Sequence, residues 1–386
     1  MKLWSRLALA IAGLAVLWIG FSFVARAQGP VMPTPPAGVK AGQYFKNVTT
    51  SALKDLTPDE FLSAMGVITD DLGFDCADCH PGAGSDKADF VSDAYAPKKR
   101  ARAMIEMVGA INRNYFGGAG AQSVTCYTCH HGREKPVTSV SLDRVYEGPP
   151  QEDDDIVPPG VGGPTADQIL DKYITAMGGA QRLAAITSFV ATGTALGYGG
   201  FGGDAEFTLY AKSPNQKTTL ITFPEHPDRG MSLWAFDGKA GWIRTPRGLF
   251  PEYELIGGEL DGARIEAQLA FPGNIKQVAT GWRVGLRRAI ENKDYLVIQG
   301  TGPRGLLVTL YFDQNTGLLK RMLRMVPSPV GRVSVQVDYA DYRDVNGVKF
   351  PYEYQFSWLD GRYTAKIKDV KTNVAIDATK FGRSPK

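Results

Sequence analysis

The chain has 386 residues, 44% apolar and 22% charged, which suits folded domains and excludes a wholly disordered or collagen-like polymer. A net charge of +3, with no basic stripe interleaved with aromatics, excludes a nucleic-acid-binding footprint. Gly and Pro cluster at linkers and turns, and only four Cys and four His are present.

Lys2 and Arg6 precede an apolar run from Leu7 to Ala25, and Ala25-Arg26-Ala27 supplies the small residues of an A-x-A exit. This pattern predicts a secretory signal over residues 1–27, cut after Ala27. The run is nearly long enough for a membrane span of about 20 residues, so an uncleaved N-terminal anchor to the inner membrane is the alternative. Either way the expected location is the periplasm. Residues 28–41, rich in Pro, read as an extended tether.

All four Cys fall in one pattern. Cys76-Ala77-Asp78-Cys79-His80 and Cys126-Tyr127-Thr128-Cys129-His130 are both C-x-x-C-H, the spacing of c-type haem attachment. Two thiols add across the two vinyl groups of one haem, and the adjacent imidazole becomes the proximal iron ligand. Two covalently attached haem c groups are therefore expected, on Cys76, Cys79 and His80 and on Cys126, Cys129 and His130. A four-thiolate zinc site is the structural alternative, and it leaves both His unexplained.

Only His131 and His226 remain as further imidazoles, so the sixth iron positions turn attention to Met. Thr57-Pro58-Asp59-Glu60 is a capping box with Pro at the first helical position. Phe61, Leu62, Met65, Ile68 and Leu72 follow at helical spacing up to Gly73, and place Met65 on the apolar face before Cys76. A second helix is predicted from Pro97 to about Tyr115, with Met104, Val108, Ile111 and Tyr115 in one stripe. Met104 and Met107 both fit as ligands there, and periodicity does not choose between them. Lys98, Lys99, Arg100 and Arg102 crowd its start, as a solvated basic face or as partners for haem propionates or an acidic protein.

The run Arg102-Ala103-Met104-Ile105-Glu106-Met107, followed by Val124 to His130, resembles the cytochrome c subunit of photosynthetic reaction centres, as does Phe45-Lys46-Asn47-Val48 leading into the Met65 helix. The resemblance covers roughly residues 42–145. It implies Met65 as sixth ligand for the first haem and Met104 for the second. Two features depart from that family: it carries four haems where this chain has two motifs, and His131 stands where Arg is usual. The resemblance implies electron transport, with a redox donor and acceptor as partners, a membrane-bound complex such as a reaction centre among them.

Residues 148–164, with paired Pro and Gly and the acidic run Glu152 to Asp155, read as a linker. Residues 28–155 carry 12 basic and 18 acidic side chains, and residues 156–386 carry 28 and 22, so the halves have opposite sign. After a capped helix begun by Thr165-x-x-Gln168, apolar residues alternate at Ala205–Ala211, Val333–Tyr339 and Phe350–Trp358. Asp237-Gly238, Asn346-Gly347 and Asp360-Gly361 signal hairpins.

The expected fold is multidomain: a small all-α di-haem cytochrome c domain over 42–147, then an α+β domain over 165–386 with a curved antiparallel β-sheet or half-open barrel. The second domain is similar in outline to outer-membrane lipoprotein-carrier proteins, through its helix-then-meander order and Phe312-Asp313-Gln314-Asn315-Thr316-Gly317-Leu318-Leu319. That likeness implies a hydrophobic ligand, a lipid or quinone. No catalytic residues are predicted: an electron carrier is expected rather than a catalyst. The alternatives are a di-haem enzyme or sensor with an open iron, and a lipid or lipoprotein carrier that bears haems.

Overall fold

A computed structural model describes residues 32–117, 123–136, 138, 156, 162–198, 205–245, 248–291, 293–359 and 361–383. The expected signal segment and most of the linker lie outside these residues. No helix among the described residues is long and apolar enough to cross a membrane.

The first part is helical. A short turn, α1 (Ala41–Tyr44), leads to α2 (Pro58–Leu72). The predicted capping box forms: Glu60 N–H donates to Thr57 Oγ1 at 3.3 Å, and Thr57 N–H donates to Glu60 Oε2 at 2.9 Å. The helix ends at Gly73, whose φ of 64° places it in the left-handed region. Then come α3 (Cys76–Cys79), α4 (Ala96–Tyr115) and α5 (Cys126–His130).

From Ser188 onward the described residues form one curved, open antiparallel sheet of 13 strands. It consists of two meanders. The first runs through β1 (Ser188–Leu196), β2 (Ala205–Lys212), β3 (Gln216–Thr222), β4 (Ser232–Phe236), β5 (Gly241–Arg244) and β6 (Glu252–Leu255). The second runs through β7 (Thr280–Ile290), β8 (Lys293–Thr301), β9 (Leu307–Asp313), β10 (Leu319–Ser328), β11 (Gly331–Val345), β12 (Val348–Trp358) and β13 (Gly361–Thr372). β1 pairs with β13 and joins them, leaving β6 and β7 at the edges. The Asn346-Gly347 hairpin takes positive φ at both residues, 56° and 79°, the conformation a two-residue turn needs to match strand twist. The helices α6 (Ala166–Ala176), α7 (Ala180–Ala184) and α8 (Gly257–Leu269) precede or interrupt the meanders. Ile169, Leu170, Tyr173, Ile265 and Leu269 of these helices share the main core with Phe207, Ile298 and Phe312 of the sheet.

The two parts pack together. Val330, in the β10–β11 turn and 1% exposed, shares a cluster with Leu53, Ala64, Val67, Ile68, Ile105 and Cys126. The contact is apolar although the halves carry opposite net charge. The described part of the segment expected as an extended tether runs along the first meander, where Met32 N–H donates to the Leu249 carbonyl at 2.9 Å and Thr34 Oγ1 to that of Glu252 at 2.8 Å. Ile156, within the expected linker, is buried in a small cluster with Tyr295, Val297 and Tyr311.

Candidate functional site

Each C-x-x-C-H segment is a single helical turn with a reciprocal cap. Asp75 Oδ1 accepts from the Ala77 and Asp78 amides at 2.7 and 3.3 Å, and Asp78 Oδ2 accepts from the Asp75 amide at 2.8 Å. At the second turn Thr128 Oγ1 accepts from the Thr125 amide at 3.0 Å. These D-x-x-D and T-x-x-T pairs satisfy amides that a helix start leaves orphaned, and so fix where the thiols sit. Their spacing was readable in the sequence.

None of the four Cys is paired in a disulfide. Among the described residues no three His, Cys, Asp or Glu side chains converge as a metal group, so the Cys pairs occupy separate turns and not one four-thiolate cage. Burial, with Asp71 adding to it, pushes the Cys126 thiol up to about 11.

The imidazoles suit proximal ligation. His130 Nδ1 lies 2.9 Å from the Arg133 carbonyl, which fixes the ring and leaves Nε2 for a metal. His80 packs edge-on to Phe90 at 5.3 Å. Burial, then the charges of Lys98 and Arg102, hold His80 below its ordinary value, which favours the neutral imidazole. These residues therefore fit covalent haem.

The surroundings are built from the neighbouring helices. Asn112, 4% exposed on α4, donates through Nδ2 to the Val124 carbonyl at 2.8 Å and accepts the Val124 amide at 3.0 Å. It pins the chain just before Cys126, a role that no motif announced. Asp71 of α2 accepts the Tyr127 amide at 3.0 Å, so the Met65 helix is also tied to the second attachment turn. Burial first pushes Asp71 up, to about 6, against the opposing pull of the Tyr127 amide and His130.

Met65 is half-buried and packs against the cluster containing Ile68 and Cys126. Met104 and Met107 are each 44% exposed. The buried face of α4 is Ile105, Val108 and Asn112; Tyr115, expected on the apolar stripe, is 77% exposed. The helix is apolar on two sides, and packing selects the one facing α2 and α5. His131 is an exposed left-handed cap residue with its ring 5.2 Å from that of Tyr127.

The basic cluster is partly structural. Lys98 Nζ donates to the carbonyls of Phe90 and Ser92 at 2.8 Å, and Arg102 pairs with Asp93 at 2.9 Å and reaches the Asn47 carbonyl at 3.1 Å. Both hold the loop between the first attachment turn and α4.

A second feature lies between α2 and the sheet. A cavity of about 470 Å³ is lined by Asp59, Leu62, Ser63 and Gly66 of α2 and by the concave face of the sheet. Its aromatic wall includes Tyr198, 5.5 Å from Trp234 and 5.9 Å from Tyr363, with Phe356 stacked on Tyr363 at 5.7 Å. α8, β10 and β3 supply ions: Arg324 binds Glu259 at 3.2 Å and Glu266 at 3.1 Å, and Lys217 binds Glu266 at 3.2 Å. Burial raises Glu266, but Lys217 and Arg324 outweigh it and hold the carboxyl below its ordinary value.

Comparison with known proteins agrees with the motifs. Residues 22–151 match the family described as photosynthetic reaction centre cytochrome C subunit. The reaction center cytochrome c subunit of Thermochromatium tepidum is 35% identical over 117 residues, 29% of this chain and 27% of that protein. That of Rubrivivax gelatinosus is 34% identical over 114 residues, 28% of this chain and 29% of its own. The chain thus spans under a third of the length of these relatives. Among solved structures, a LolA superfamily protein from Nitrosomonas europaea aligns over 57% of this chain and 99% of its own, with 15% identity and a TM-score of 0.37. A DUF1329 family protein from Desulfovibrio piger aligns over 57% and 98%, with 11% identity and a TM-score of 0.39. At these scores no ligand or activity carries over. In residues 22–151, where both C-x-x-C-H turns lie, the chain matches the photosynthetic reaction centre cytochrome c subunit family.

Proposed function

We propose that this chain is an exported di-haem c-type cytochrome that passes single electrons between protein partners, with a ligand-holding second half. The observation that carries the reading is the pair of capped C-x-x-C-H turns, at one of which His130 Nδ1 is fixed on the Arg133 carbonyl and Nε2 left for iron. When bound, haem supplies a one-electron couple, and His/Met ligation raises its potential. Cys76, Cys79, Cys126 and Cys129 would hold the two groups; His80 and His130 would be proximal ligands, and Met65 and Met104 the distal ones. Asn112 and Asp71 then act as positioning residues for the second turn.

The partners are a redox donor and acceptor, a membrane-bound complex such as a reaction centre among the candidates, and the working compartment is the periplasm. The cavity under α2 holds an apolar ligand, a lipid or quinone. Its volume lies within the ~300–1,000 Å³ usual for small-molecule sites.

Haem stoichiometry tests the first part. The alkaline pyridine haemochrome of the exported protein should give two haems per chain, and C76A/C79A and C126A/C129A should each give one. A value of one or none in the wild-type chain contradicts the reading.

A further inference from the structure

The polar end of the cavity is charge-balanced before any ligand enters. Lys217 and Arg324 are already matched by Glu259 and Glu266. A carboxylate or phosphate placed here would add an unmatched negative charge beside two carboxylates, which a low-dielectric site disfavours. The Arg324 side chain is 5% exposed, and its Nη1 is buried with no hydrogen-bond partner. Gly262 makes room for that guanidinium, since a Cβ there would lie 2.4 Å from Nη1. Asp59, from the other half of the molecule, faces the same end: Glu259 of α8, the Tyr253 hydroxyl of β6 and its own neighbour Glu60 surround it. The walls beyond are the aromatic rings of Tyr198, Trp234, Phe356 and Tyr363, which favour a flat ring over a flexible chain.

We infer that the cavity takes an uncharged molecule with an oxygen-bearing ring and an apolar tail, of the quinone class, whose ring carbonyl lies at the polar end beside Arg324 and Asp59. This rests on the reading that the cavity holds an apolar ligand and chooses between its two classes. A protonated Asp59 offers that carbonyl a donor. Burial, then Glu259, raise that carboxyl to about 7, so the donor is lost as the pH rises through neutrality.

The test is calorimetric titration of the haem-loaded protein with decyl-ubiquinone and, separately, with palmitate. Decyl-ubiquinone is expected to bind at least tenfold more tightly than palmitate at pH 6, and to weaken severalfold by pH 8.5. Asp59→Asn should keep tight binding and lose the pH dependence, while Arg324→Lys, checked for fold by circular dichroism, should weaken decyl-ubiquinone tenfold or more. Palmitate binding as tightly as decyl-ubiquinone, or more so, overturns the choice of class but leaves an apolar-ligand cavity standing. Binding of neither probe overturns both. The haem content, read from the same samples, bears on the electron-carrier reading alone.

Discussion

The Cys126 amide donates to the Val330 carbonyl at 3.5 Å, so the second attachment turn rests on the turn between β10 and β11. Around this contact Val67 of α2 and Ile105 of α4 close on Val330, which is 1% exposed. The two halves are thereby one packed body through at least this seam, and α2 serves both: one face toward Cys126, the other toward the cavity.

Val330→Asp would bury an unpaired charge at that seam. It is expected to cost about 3 kcal/mol or more, in the range of unpaired buried charges. The helical part should then become sensitive to limited proteolysis while the sheet's circular dichroism persists. Unchanged protection would show that the seam contributes little.

Asn112→Ala leaves the Val124 amide and carbonyl without their partner. At ~1–3 kcal/mol for a buried polar group left unsatisfied, a loss of about 2 kcal/mol is expected in denaturant unfolding. Haem loading at Cys126 and Cys129 should fall while loading at Cys76 and Cys79 holds. Equal loss at both motifs would contradict a local role.

Arg324→Ala strands Glu259 and leaves Glu266 with Lys217 alone; their side chains are 21% and 14% exposed. Breaking one partner out of a buried ion network typically costs ~3–5 kcal/mol, and the midpoint of urea unfolding should drop accordingly. A loss under 1 kcal/mol would mean that water screens the network.

Asp59 gives a pH-dependent stability of definite sign. Its carboxyl titrates at about 7 in the fold, raised by burial and then Glu259. The unfolded carboxyl titrates at about 4, so ionisation weakens the fold progressively from about pH 4 to about pH 7 and fully above that. Asp59→Asn removes this penalty. Its melting temperature relative to wild type should therefore rise between pH 5 and pH 8; a constant difference contradicts the assignment.

Much of this architecture was legible because local signals coincide with tertiary demands. Thr57 and Glu60 cap α2 as their spacing dictates, and Asn346-Gly347 makes the hairpin turn that alternating Val and Tyr residues on either side require. The C-x-x-C-H spacing needs nothing beyond itself. What escaped the sequence depends on partners distant along the chain. Asp59 reads as an acidic residue favouring a helix N-terminus, and only the placement of β6 and α8 turns it into a cavity residue. Asn112 looks like an ordinary polar helix position until Val124 is beside it. On α4 the expected stripe included Val108, which is buried, but periodicity alone did not select Ile105 over Met104 and Tyr115. Ile156 lies in a Pro-rich acidic stretch whose composition hides one buried anchor.

The most direct measurement is the visible and near-infrared spectrum of the haem-loaded protein, oxidised and reduced, with and without carbon monoxide. Two low-spin haems are expected, with Met-to-iron charge-transfer absorption unmoved by carbon monoxide, and that absorption should be lost from one haem in each of Met65→Ala and Met104→Ala. A high-spin spectrum that shifts with carbon monoxide, or charge-transfer absorption that survives both substitutions, would contradict that expectation.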